Sequence, residues 1–353
     1  MQTPSETETH TRTPTTTPTW ADTAAQVVGR VVEHTRHALF EDTRHVVLGG
    51  GAMYGIMYIG VLMQLCGHDV DTYKRWVHNV RGVAGTSAGA IVGFLLAAGL
   101  SPWAMLDTVA TCGLPRVMKG MLDLEPAAVA RTNALTSGEA VEKVCRDLVR
   151  RITGSSNTTL SQFFQQTGKQ FVVVVTNLDT QSAEFWDHVS EPDLPVWLAI
   201  RATSSLPGIF PIVALPDGRR VVDGGLVCNV PCVFPSHSTL TLLVQNYRRP
   251  GQKLPPYLLN VVAIQMEAAQ TGCLRRDPVL FMRCIPCPFP TRPPRLGRLT
   301  FDASEEELRD LVAEGCRAVC GVYMRDVFIV CLVLRAACIL ARKSSSYSCS
   351  EMK

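Results

Sequence analysis

Residues 81–99 read RGVAGTSAGAIVGFLLAAG. The segment RGVAG (81–85) predicts a short buried strand, and SAGAIVGFLLAAG (87–99) predicts an apolar helix stopped by Gly99 and Pro102. Between them lies GTSAG (85–89), which fits GxSxG. A turn this sharp between strand and helix forces strained backbone angles on its central residue, so small residues, Gly85 and Gly89, must flank Ser87. Ser87 then projects at the mouth of a sheet and at the N-terminus of a helix, where the helix dipole favours developing negative charge. That makes it a candidate nucleophile. The bland alternative is a chance GxSxG in a small-residue loop.

Working outward, the same alternation recurs. HVVLGGG (45–51) reads as a strand entering a glycine turn, followed by a buried helix in GIMYIGVLMQLC (55–66). FVVVVTN (171–177) is the strongest strand signal, with SAEFWDH (182–188) as its hairpin partner. LPVWLAIRATSS (194–205) reads as a helix, and RRVVDGG (219–225) and LTLLVQN (240–246) as strands. DTAAQVVGRVVEHTRHALF (22–40) has helical spacing suited to a surface helix. Strands alternating with apolar helices predict an α/β fold, a three-layer sandwich around a mostly parallel central sheet.

Two further glycine turns invite chemistry. GGGAMYG (49–55) cannot be a dinucleotide fingerprint, because no register places glycines at n, n+2 and n+5, and no Gly-Lys-Ser/Thr follows to make a phosphate loop. It remains an anion nest, in which each well-aimed backbone donor is worth about 3–4 kcal/mol on a barrier; a tight turn without a ligand is the plain alternative. The other is Asp223-Gly224-Gly225 at a strand end, commonly just a turn. A hydrolase triad runs serine, acid, histidine, and the histidine following Asp223 is His237, only 14 residues on. The alternative is a dyad in which Asp223 takes the Ser87 proton directly. An aspartate at its usual pKa of about 3.9 is a feeble base, so a dyad requires partial desolvation and a prepared oxyanion hole.

The glycine-rich loop, the GxSxG elbow and the distal Asp-Gly-Gly, in this order, resemble the patatin-like phospholipase family. ATSSLPGIFPIV (202–213) running into VVDGGLVCNVP (221–231) strengthens the resemblance, which covers roughly residues 44–246. It implies Ser87 as nucleophile, Asp223 as base, and an oxyanion hole drawn from Gly50, Gly51, Ala52, Met53 and Gly55. It also implies metal-independent hydrolysis of acyl esters in phospholipids or related lipids, with no cofactor. Two positions depart from the family pattern: Ala52 replaces the third glycine and Tyr54 the usual basic residue. Those departures leave a weakened lipid-binding or scaffold protein as the alternative, and an acyl-enzyme could equally pass its acyl group to another lipid as a transacylase.

Composition sets the remaining expectations. The chain has 353 residues, 46% hydrophobic and 18% charged, which excludes wholesale disorder. A net charge of +3 gives no case for nucleic acid. Thirteen scattered cysteines point to thiols in a reducing, cytoplasmic setting. Cys284 and Cys287 have CxxC spacing, but no matching pair follows, so no metal site is expected. Residues 1–20 read as a Thr/Pro-rich disordered tail, 41–265 as the catalytic domain, 266–300 as a basic Pro-rich linker, and 301–343 as a helical C-terminal region. Ser304 and Glu307 have capping-box spacing. The segment 327–341, VFIVCLVLRAACILA, is too short to span a bilayer and contains Arg335. Either it packs on the core or, with the six arginines of 274–298, it makes peripheral contact with anionic membrane. Asn177, Asp179 and His188 are assigned no role.

Overall fold

The computed structural model describes residues 26, 29–35, 37–112, 134–244, 265–266, 268–270, 283–287 and 309–322. One compact unit runs from Arg36 to Tyr323; the other comprises Met1–Thr35 and Met324–Lys353, of which only a helical stretch at 29–35 and residue 26 are described. The tail at 1–20, Ser304 with Glu307, and the apolar segment 327–341 lie outside the described residues.

Among the described residues the sheet has eight strands, seven of them in the order β5-β6-β3-β2-β1-β7-β8, with β4 paired to β3. They are β1 His45–Leu48, β2 Gly82–Gly85, β3 Gln170–Asn177, β4 Ser182–Trp186, β5 Val213–Ala214, β6 Arg220–Asp223, β7 Thr239–Val244 and β8 Cys284–Cys287. β1, β2, β3, β7 and β8 run parallel, β4 and β6 run antiparallel to β3, and β5 pairs antiparallel with β6. The fold is therefore α/β with a mostly parallel central sheet. The helices are α1 Met57–Leu65, α2 Val70–Asn79, α3 Ala88–Ala97, α4 Pro102–Thr111, α5 Glu139–Thr153, α6 Leu160–Thr167, α7 Val196–Thr203 and α8 at 309–322.

Period-two alternation splits the strands between two cores. Val46, Leu48, Val83, Phe171, Val173, Leu240 and Leu242 face the larger core, which the helices build. Val47, Ala84, Val172, Leu243 and Cys284 face the other side and pack with Val230 and Phe234. β1, β2, β3 and β7 are buried on both faces, which is why they read as continuous apolar runs.

Three helices were not expected, and each carries a local signal. α2 is capped by Asp69, whose side chain accepts from the Thr72 N–H. α6 has a full capping box between Thr159 and Gln162. α5 lies between left-handed glycines, Gly138 and Gly154, and buries Val141, Val144, Cys145, Leu148 and Val149 along one face.

The expected linker is corrected at one point. Cys284–Cys287 is a strand, parallel to β7 with Thr241 opposite Cys284 and Val244 opposite Cys287. A proline in its middle disguises it; at the sheet edge Pro286 can lack an N–H without orphaning a partner. The CxxC pair points to opposite faces, Cys284 into the smaller core and Cys287 into the larger, so it cannot chelate one metal. Pieces of both the expected linker and the expected helical appendage belong to the same compact unit as the sheet. α8 crosses α1 at glycines: a Cβ on Gly60 would sit 1.9 Å from the Val312 carbonyl oxygen, and one on Gly315 1.9 Å from that of Met57.

Candidate active site

Ser87 stands between the end of β2 and the start of α3 with φ 53° and ψ −125°, a left-handed conformation that a non-glycine residue adopts only under constraint. The constraints are visible on both sides. Gly85 and Gly89 have no room for a side chain: a Cβ at 85 would lie 2.6 Å from the Ala90 backbone nitrogen, and one at 89 would lie 2.2 Å from the Leu48 carbonyl oxygen. The Ser87 N–H donates to Thr203 Oγ1 at 2.9 Å, and that hydroxyl donates in turn to the Val174 carbonyl. Thr203 ends α7, so this helix ties the elbow to β3. Sequence reading gave Thr203 no role, although it lies in the ATSSLPG run.

Asp223 is the last residue of β6 and sits opposite Val175 on β3. Its N–H donates to the Ser205 carbonyl at 3.0 Å, and its own carbonyl accepts from Thr176 Oγ1 at 2.9 Å. The backbone is thus held on both sides while the carboxylate is left for chemistry. That carboxylate accepts the Gly225 N–H at 2.8 Å, and the Ser87 hydroxyl lies close enough to favour its ionised form. It is 1% exposed, and this burial pushes its pKa up to about 6, against the smaller opposing effects of the Gly225 N–H and the nearby Ser87 hydroxyl. The two glycines after it permit close packing: a Cβ on Gly224 would lie 2.3 Å from the Val174 carbonyl oxygen, and one on Gly225 would lie 2.4 Å from the Met266 methyl.

The glycine loop lies alongside. A Cβ on Gly50 would be 3.3 Å from the Ser87 Cβ, and one on Gly55 would be 2.9 Å from the Ala88 Cβ. Gly55 therefore lets the loop press on the elbow helix. The expectation for Gly50 needs correction. Its N–H donates to Asn229 Oδ1 at 3.0 Å and is already committed. Among the described residues, the N–H groups of Gly51, Ala52 and Met53 have no protein acceptor, as the start of the 3-10 turn Ala52–Ile56 dictates. Ala52 takes φ 48°, the left-handed region that glycine would occupy more easily. Tyr54 is buried in the larger core, so the position that the resemblance expects to be basic packs as an apolar side chain here.

His237 is excluded from this constellation. It lies in the turn Ser236–Ser238 that precedes β7, beside His45 at the start of β1. Ser87 follows the opposite, C-terminal end of β2, so a whole strand separates the two and the Ser-His-Asp reading falls. Asn177 also has a structural task, with Oδ1 capping the turn at Asp179 and Thr180 and Nδ2 donating to Glu184. Asp179 pairs with Arg220. Among the described residues no cluster of histidine, cysteine and carboxylate side chains could hold a metal ion. Nor is any helix there long and apolar enough to cross a membrane.

Comparison with known proteins adds three findings. A family model described as patatin-like phospholipase matches residues 46–233, more than half of the chain. The chain is 25% identical over 192 residues to the probable lipid hydrolase 463L of Invertebrate iridescent virus 6, covering 53% of this chain and 61% of that protein. It is 23% identical over 203 residues to triacylglycerol lipase 5 of Saccharomyces cerevisiae, covering 52% of this chain and 25% of that protein. The matched part thus spans about three-fifths of one relative and a quarter of the other. Among solved structures, VipD from Legionella pneumophila superposes with a TM-score of 0.47 at 14% identity, over 81% of this chain and 67% of that one.

Proposed function

The chain belongs to the patatin-like phospholipase family, and from that premise we propose that it is a lipid acyl hydrolase working through a Ser87–Asp223 dyad. The observation that carries this reading is a buried carboxylate beside the Ser87 hydroxyl, with a pKa raised to about 6 by burial. A pKa of about 6 strengthens the base roughly a hundredfold over an ordinary aspartate while leaving it ionised at neutral pH.

In the proposed cycle Ser87 Oγ attacks the ester carbonyl as its proton passes to Asp223. Backbone N–H groups of Gly51 and Ala52, with Met53 beside them, hold the oxyanion. Asp223 returns the proton to the leaving alcohol, and an acyl-enzyme on Ser87 remains. Water attacks this ester and gives a proton to Asp223, which passes it to the departing Ser87 Oγ as the fatty acid and free Ser87 are released. No metal enters these steps. The substrate class is a carboxylic ester of a phospholipid or lysophospholipid.

Ala52 and Tyr54 bear on the rival reading, a lipid-binding protein with a disabled site. Ala52 keeps the left-handed turn at a cost in strain, so the loop that carries the donors is made. We assign peripheral contact with anionic membrane to the basic and apolar stretches at 274–298 and 327–341. Cys284–Cys287 is excepted, because three of its residues are buried in the sheet and Pro286 is part-buried. A fluorophosphonate probe tests the nucleophile directly: wild type should be labelled at Ser87 within minutes, and Ser87→Ala should not be labelled. A folded wild type that resists the probe would favour the disabled site.

A further inference from the structure

We propose that Asn229 and Gln270 form an amide relay that holds the glycine loop at the angle the oxyanion requires, both acting as positioning residues; the proposal rests on the hydrolase reading above. Asn229 is 1% exposed and meets both polar groups of the Gly50 backbone. Gly50 N–H donates to Asn229 Oδ1 at 3.0 Å, and Asn229 Nδ2 donates to the Gly50 carbonyl at 3.4 Å. The second hydrogen of Nδ2 goes to Gln270 Oε1 at 3.0 Å, and Gln270 Nε2 donates to the Val244 carbonyl at 3.2 Å. The orientation of the Asn229 amide follows from this network, because the Gly50 N–H needs an acceptor and Gln270 Oε1 needs a donor.

A second staple ends on the same residue. The Tyr58 hydroxyl donates to the Gly49 carbonyl at 2.8 Å and accepts the Val244 N–H at 3.1 Å. Val244, the last residue of β7, therefore brackets the loop through two routes, Tyr58 to Gly49 and Gln270–Asn229 to Gly50. A strained residue persists where its surroundings over-determine it, and the two staples hold the residues that lead into Ala52 at φ 48°. The relay also narrows the donors: with the Gly50 N–H committed to Asn229, the loop N–H groups left for an oxyanion are those of Gly51, Ala52 and Met53. Gln270 lies beyond the stretch matched by the family model, so this buttress comes from outside residues 46–233. The same segment brings Met266 against Gly225, and Gln265 Nε2 to the Leu226 carbonyl at 3.1 Å.

The test compares the full-length wild type with Gln270→Leu, which removes both amide groups, and with Gln270→Glu, which keeps the acceptor that faces Asn229. A soluble p-nitrophenyl ester gives kcat and KM, and backbone hydrogen exchange is followed over residues 49–56. For Gln270→Leu we expect kcat to fall about 10- to 100-fold with KM within about twofold. Exchange at 49–56 should rise while β2 and β3 stay protected, and Gln270→Glu should recover part of both losses. Unchanged kcat, or slowed catalysis without faster exchange in the loop, overturns the proposal. If Gln270→Leu does not fold, Gln270→Glu decides on the same two readouts, with smaller changes expected. A wild type that cleaves no ester contradicts the hydrolase reading instead, and loop exchange then judges the relay alone.

Discussion

The Ser87 hydroxyl lies close enough to Asp223 to favour its ionised form, and Asp223 is a carboxylate on a different strand that is 1% exposed and has a pKa raised to about 6 by burial. Two residues 136 positions apart meet because β2 and β6 flank β3 on either side and, running in opposite directions, end at nearly the same level along it, Gly85 opposite Val173 and Asp223 opposite Val175. The proposed base works only when ionised. kcat/KM should therefore rise tenfold per pH unit below about pH 6 and level off above it. A profile whose acid limb lies near pH 4 would show that Asp223 is not desolvated in the free enzyme.

The same burial bears on stability. The folded-state pKa exceeds the unfolded value, so protonation favours the fold, and this stabilisation is lost as pH rises through about 6. Asp223→Asn keeps an acceptor for the Gly225 N–H and carries no charge. It should be inactive yet more stable than wild type at pH 8, by up to about 3 kcal/mol. The gap should close between pH 6 and pH 4. Chemical denaturation at several pH values checks this.

Ala52→Gly relieves the left-handed strain at φ 48° but adds freedom to the unfolded chain. The two effects oppose each other, at about 1–2 and about 0.4–1 kcal/mol. We expect a net gain below about 1 kcal/mol and a kcat equal to or a few-fold above wild type. A loss of activity would mean that the methyl group itself shapes the oxyanion pocket.

The α1–α8 crossing tolerates no side chain. Gly60→Ala and Gly315→Ala each place a Cβ 1.9 Å from a backbone carbonyl oxygen of the other helix, so each should destabilise by about 1–3 kcal/mol or more. α1 follows directly from the glycine loop, and Cys316 Sγ donates to the Gly60 carbonyl at 3.2 Å. Activity should consequently fall with stability in both variants. Thermal melts beside rate measurements decide whether α8 is part of the working unit.

How much of this was legible follows from where each signal resides. The strands and the turns that carry Ser87 and Asp223 were readable because GxSxG, Asp-Gly-Gly and their apolar strands are local patterns with local causes. β8 was not, because Cys-Ile-Pro-Cys has neither the length nor the alternation of a strand and is recruited by β7 alone. Asn229 was visible in LVCNVP without a role, since its partners Gly50 and Gln270 lie 179 and 41 residues away. The triad alternative failed for a topological reason: proximity in sequence put His237 near Asp223, but it precedes β7 and so stands at the N-terminal end of the parallel strands, whereas Ser87 follows the C-terminal end of β2. Thr203 shows the same limit, for its partner Ser87 is 116 residues distant.

The most direct test of the account is fatty-acid release from mixed phospholipid vesicles by wild type, Ser87→Ala and Asp223→Asn, with chelator present throughout. The account predicts release by the wild type alone, unaffected by chelator. Release that survives Ser87→Ala or Asp223→Asn at near wild-type rate would contradict the dyad.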